Sequence, residues 1–103
     1  MNYEATARHS HRNGMNCATA VYTALGGDKA NAPKPRAEDG KCGALLAAEQ
    51  TIRERGLGNT EDFDREFLDL FGSLKCSDLR GAATGKCNDY VGTAARMVGE
   101  MLP

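Results

Sequence analysis

The chain has 103 residues, 26% of them charged, and a formal net charge of −1. Its length gives one domain's worth of core, burying roughly 60–70% of what the unfolded chain exposes. Acids and bases are interspersed, which leaves no basic face for a nucleic-acid backbone, and no apolar run nears the roughly 20 residues that span a bilayer. Three Phe, three Tyr and no Trp leave little aromatic core. Abundant alanine and few β-branched residues favour helix over sheet. The expected fold is all-α, with four to five short helices in a compact bundle-like or orthogonal array. Residues 1–103 are expected to form a single domain.

In chain order, residues 3–11 read as a short first helix, or else as a mobile lead-in over 1–13; Asn13-Gly14 breaks it. The opening stretch Met1–His9 carries no hydrophobic signal segment, so the expected compartment is the cytoplasm, where thiols stay reduced. A second helix runs from about Met15 to Leu25, with Asn16 as N-cap and Gly26-Gly27 as its stop. Asp28 to Gly40 reads as a loop, because Pro33 and Pro35 cannot continue a helix. A third helix spans about Lys41 to Arg55 and stops at Gly56-Leu57-Gly58. Asn59-Thr60 caps a fourth, with Glu61 and Asp62 in the turn where the helix dipole favours acids. Its apolar positions Phe63, Phe67, Leu70, Phe71 and Leu74 follow helical spacing and are expected to centre the core. An irregular stretch, Lys75 to Lys86, with one turn at Ser77-Asp78-Leu79, leads to a last helix from about Lys86 to Met101.

The four cysteines, Cys17, Cys42, Cys76 and Cys87, carry the functional signal. Cys17 shares a stripe with Ala20, Val21, Ala24 and Leu25. Cys42 shares one with Leu45, Leu46 and Ile52, and Cys87 one with Val91, Ala94, Val98 and Met101 or Leu102. Each of these three lies on the inward face and in the first turn of its helix. Cys76 lies past the fourth helix. A helix N-terminus stabilises a thiolate through unpaired N–H groups and the dipole, and a thiolate is both a disulfide-exchange nucleophile and a ligand for soft metals. The competing reading is inert packing, since free cysteine is among the most buried residue types. There is no Cys-x-x-Cys pair, so neither a zinc-finger nor a thioredoxin-like spacing is present.

Four segments in order, Gly14-Met15-Asn16-Cys17-Ala18-Thr19-Ala20-Val21, Cys42-Gly43-Ala44-Leu45-Leu46-Ala47, Lys75-Cys76-Ser77-Asp78-Leu79 and Lys86-Cys87-Asn88-Asp89-Tyr90-Val91, together resemble the redox-active family named for its C_GCAxxG_C_C pattern. The resemblance runs from about Gly14 to Met101. It implies a helical protein whose Cys17, Cys42, Cys76 and Cys87 are the active group, with Gly43 as a supporting, cofactor-binding position. A similar cysteine domain accompanies haem modules in split-Soret cytochromes, which implies electron transfer and an iron–sulfur centre; four thiolates are also a ligand set for a single zinc or iron ion. This chain has no Cys-x-x-Cys-His, hence no covalent haem signature. The motif's closing glycine is Ala47 here. Cysteine pairs cycling between dithiol and disulfide, Cys76 with Cys87 and Cys17 with Cys42, are one reading; four thiolates on a metal are the other. The implied partner is a redox protein or a transporter-associated protein. The alternative function is a small structural metal-binding or adaptor protein, its cysteines serving only the fold.

Other signals read as structural. Gly81-Ala82-Ala83-Thr84-Gly85-Lys86-Cys87 is one residue too short for a phosphate-binding loop and ends in Cys rather than Ser or Thr. His9 and His11 face different directions on a helix and read as a solvated, partly frayed terminus. Glu49 reads as a boundary residue with its carboxylate in solvent. Arg53, Arg55, Glu61, Asp62, Asp64, Arg65 and Glu66 read as solvated helix faces.

Overall fold

Asparagine opens the first two helices. Asn2 accepts a hydrogen bond from the Ala5 N–H at 2.9 Å and starts α1 (Tyr3–Arg12). Asn16 accepts from the Thr19 N–H at 2.8 Å and starts α2 (Cys17–Ala24). Each side chain satisfies a first-turn amide that the helix leaves without a partner. Helix α3 (Gly43–Arg55) begins at Cys42 and ends at Gly56, whose φ of +62° is a left-handed cap. Asn59 repeats the capping device for α4 (Thr60–Phe71), accepting from the Asp62 N–H at 2.8 Å. Helix α5 (Cys87–Met101) is the last of the described elements. The computed structural model describes residues 2–34, 41–74 and 87–102. Among these the fold is all-α. Cys76, the turn at residues 77–79 and the glycine-bounded segment 81–86 lie outside them, as does the later part of the proline loop.

Helices α2, α3 and α5 pack on one another, and α1 lies along α5. Val21, Leu25, Leu45, Ile52, Val91 and Val98 are fully buried between them. Each such side chain contributes roughly 1.5–3 kcal/mol of burial. Alanines fill the contacts: Ala18, Ala20, Ala44, Ala47, Ala48, Ala94 and Ala95 are all at 0% exposure. A Cβ on Gly92 would collide with the Arg8 side chain, and one on Gly99 with the Tyr3 ring. These two glycines therefore let α1 close onto α5. The radius of gyration is 12.0 Å, close to the roughly 13 Å of a compact chain of about 100 residues.

Four expectations are corrected. The core does not centre on the α4 stripe. Phe63 and Phe67 are buried, but Leu70 is 53% exposed. The last turn of α4 rolls toward Tyr90, whose ring meets Phe71 at 4.8 Å and Phe67 at 6.2 Å, and that leaves Leu70 outside. The N-terminal segment is not frayed. Arg8 on α1 bonds Glu4 at 2.8 Å and Asp89 of α5 at 2.7 Å, and Asn88 donates to the Arg8 carbonyl at 3.0 Å. The loop after α2 contains a 3₁₀ turn, Lys29–Asn31, because Asp28 caps the Ala30 N–H at 3.0 Å. Lastly, Glu49 and Asp64 are not solvated surface acids, as described below.

Candidate thiol centre

Three helix starts place three sulfurs together. Cys17 is the first residue of α2, Cys42 the N-cap of α3 and Cys87 the first residue of α5. These three helices pack on one another, and the three thiols act on one another's acidity, which puts their first turns side by side. The Cys17 thiol donates to the Cys42 sulfur and accepts from Cys87. All three are present as thiols. The chain of hydrogen bonds thus runs from Cys87 through Cys17 to Cys42.

The three sulfurs differ in burial and in acidity. Cys42 is 1% exposed and Cys17 9%, whereas Cys87 is half-buried. The bond from Cys17 stabilises a Cys42 thiolate strongly enough to outweigh burial, and the amides of Ala44 and Leu45 add to it, so the Cys42 pKa is lowered. Those amides belong to the first turn of α3, where N–H groups lack regular partners within the helix and favour an anion. Cys17 moves the other way. Donating its proton to Cys42 holds that proton in place, burial adds to the effect, and its pKa is raised despite the opposing bond from Cys87. The hydrogen bonds themselves are weak, as thiols are poor donors, but in a low-dielectric site their direction still sorts the sulfurs.

Tyr90 is a neighbour the sequence did not single out. It is 4% exposed, and burial raises its hydroxyl pKa, with smaller contributions from Asp89, Cys42 and Cys87. With Phe67 and Phe71 against its ring, it forms an aromatic wall beside the thiols. Gly43, buried as the first residue of α3, places its backbone directly after Cys42. Ala47, at the motif's final glycine position, is also completely buried. The histidines lie elsewhere. His11 Nδ1 is 3.1 Å from the Asn88 side-chain nitrogen, which makes Nδ1 the acceptor, and burial lowers the imidazole pKa. His9 Nε2 is 3.3 Å from Asn13. Among the described residues, no group of three or more His, Cys, Asp and Glu side chains is set to hold a metal ion.

A second polar cluster lies along α3. Lys41 Nζ forms an ion pair with Glu49 and another, at 2.9 Å, with Asp64 Oδ2 of α4. Glu49 is 5% exposed. Burial pushes its carboxyl pKa up, a hydrogen bond to Asp64 adds to that, and Lys41 offsets part of it, leaving a value of about 7. Burial disfavours the Lys41 ammonium, but its bonds to Glu49 and Asp64 outweigh this and its pKa is raised. Asp64 Oδ1 is buried with no hydrogen-bond partner among the described residues. The pairing of Lys41 with a residue two turns into the helix and another on α4 has no local sequence signature, so both acids read as solvent-facing from the sequence alone.

No family model, curated protein or solved structure matches this chain. The functional reading therefore stands on the residues and their geometry.

Proposed function

We propose that the chain is a thiol redox protein acting in electron transfer, in which Cys17, Cys42 and Cys87, with Cys76 as a fourth sulfur, cycle between dithiol and disulfide. The observation that carries this reading is the contact among three cysteines that are far apart in sequence. Inert core thiols need only an apolar pocket each. Here three separate helix starts, each a setting that favours a thiolate, are spent on one cluster. A redox protein or a transporter-associated protein in the cytoplasm is the partner class this chemistry fits. The near-neutral charge gives no reason to invoke nucleic acid. Among the described residues no helix is long and apolar enough to cross a membrane.

A second reading draws on the same convergence. Thiolates are soft donors, and Cys17, Cys42, Cys76 and Cys87 together make the four-sulfur set that zinc or an iron–sulfur cluster takes. Such a centre would supply one-electron transfer if it held iron, or a purely structural clasp if it held zinc. That clasp is the form an adaptor protein would use.

Anaerobic purification, elemental analysis and thiol counting separate the readings. The dithiol reading expects metal-free protein that loses labelled thiols in pairs on oxidation and regains them on reduction. Stoichiometric iron or zinc that resists dialysis moves the assignment to a metal centre. Thiols that label slowly and identically in both states remove function from the cysteines altogether.

A further inference from the structure

We infer that oxidising equivalents enter the cluster through Cys87 and that Cys17 is the hub that resolves them. This rests on the dithiol reading above. Cys87 is the half-buried sulfur of the three, while Cys17 and Cys42 are 9% and 1% exposed. Attack on an external disulfide needs access as well as thiolate character, and access selects Cys87. Among the three described sulfurs, all at the starts of helices that pack on one another, Cys17 is the one hydrogen-bonded to both of the others.

The oxidant is a disulfide, either a small-molecule one such as glutathione disulfide or one presented by a protein. The Cys87 thiolate attacks one oxidant sulfur. An S–S bond forms between them, the oxidant's own S–S bond breaks, and the second oxidant sulfur leaves as a thiolate that takes up the proton Cys87 gave to solvent. Cys17, deprotonated in turn, attacks the Cys87 sulfur. The mixed disulfide breaks, the remaining oxidant sulfur leaves as a thiol, and a Cys17–Cys87 disulfide remains. Two electrons have passed from two protein thiols to one external disulfide. The Cys42 thiolate then attacks Cys17 and displaces Cys87, which shifts the disulfide inward to Cys17–Cys42 without further electron transfer. Cys87 returns to a thiol ready for another encounter.

The test uses the full chain, metal-free and anaerobic, treated with glutathione disulfide, quenched in acid and mapped by mass spectrometry. Wild type is expected to lose thiols in pairs with little adduct. Cys17→Ser is expected to accumulate glutathione on Cys87, and Cys17→Ala, which tests the same step with a different packing change, to do likewise. Cys87→Ser is expected to oxidise at least about tenfold more slowly, because Cys17 and Cys42 are both more deeply buried. Cys42→Ser is expected to keep adduct formation and its resolution by Cys17. An adduct on Cys42 or Cys76 in both Cys17 variants, or wild-type oxidation of Cys87→Ser, overturns the order while leaving the redox reading standing. A wild type that glutathione disulfide cannot oxidise overturns both.

Discussion

The thiol of Cys17 donates to the sulfur of Cys42, joining the start of α2 to the start of α3. That single bond is the largest influence on both side chains, and it acts on them in opposite directions: it lowers the pKa of Cys42 and raises that of Cys17. Removing the donor therefore has a signed consequence. In Cys17→Ala the Cys42 thiolate loses its main support and keeps its burial, so its titration moves to higher pH. Thiolate absorbance in the ultraviolet, followed with pH in Cys17→Ala and in a Cys17→Ala/Cys42→Ala control, isolates the Cys42 signal. A midpoint that stays put or falls would show that the bond does not set the acidity of Cys42.

Glu49 supplies a pH dependence remote from the sulfurs. Its ordinary carboxyl value lies near 4.5 and its folded value near 7. An acid whose pKa rises on folding holds its proton more tightly in the native state. The stabilisation is present in full below the unfolded value and is lost as pH rises through the folded one. Chemical denaturation is therefore expected to show falling stability between about pH 5 and pH 7, by a few kcal/mol at most, since one unit corresponds to about 1.4 kcal/mol. Glu49→Gln keeps the shape and removes the titration, so its stability profile should be flatter across that window. Wild type and Glu49→Gln with parallel profiles would remove Glu49 as the source.

How far the sequence foretold this arrangement depends on the range of each interaction. The caps at Asn16 and Asn59, the stop at Gly56 and the inward stripes below Cys17, Cys42 and Cys87 are local patterns. They follow from helix geometry a few residues at a time, and the structure carries them except at Leu46, which lies only partly buried beside the Cys42 stripe. The meeting of the three sulfurs is not local, since it depends on how α2, α3 and α5 pack. Placement at helix starts was readable; that these starts converge was not. Leu70 shows the limit of periodicity, which names a face but not how far around the helix its neighbours extend. Lys41 with Glu49 and Asp64, and Arg8 with Asp89, escaped for the same reason: an ion pair between helices leaves no spacing to read.

Gly92 tests whether α1 is held by close approach. Its missing Cβ makes room for the Arg8 side chain, which reaches Glu4 and Asp89 from there. Gly92→Ala gains up to about 1 kcal/mol of helix propensity, but overpacking a tight contact costs typically about 1–3 kcal/mol. The net expectation is a loss of up to about 2 kcal/mol, with faster amide exchange in α1 and little change in α3. Gly56→Ala gives no such pattern, because nothing lies near a Cβ there and its cost comes from its positive φ. Unchanged exchange in α1 of Gly92→Ala would mean that the glycine is not what admits Arg8.

Asn16 links the fold to the thiols most directly, because the residue it caps into the helix is Cys17. Its side chain accepts the Thr19 N–H at 2.8 Å, and replacement of such a cap by alanine costs about 1 kcal/mol. In Asn16→Ala the first turn of α2 loosens, and that turn carries the Cys17 sulfur that donates to Cys42. Two readouts are expected to move together: a lower denaturation midpoint and a higher-pH titration of Cys42. Asn59→Ala removes an equivalent cap from α4, where no thiol is attached. It is expected to lower the midpoint by a similar amount and leave the Cys42 titration alone. If both variants shift that titration equally, general loosening of the fold is the cause. If only Asn16→Ala does, the start of α2 holds the sulfur chain in register.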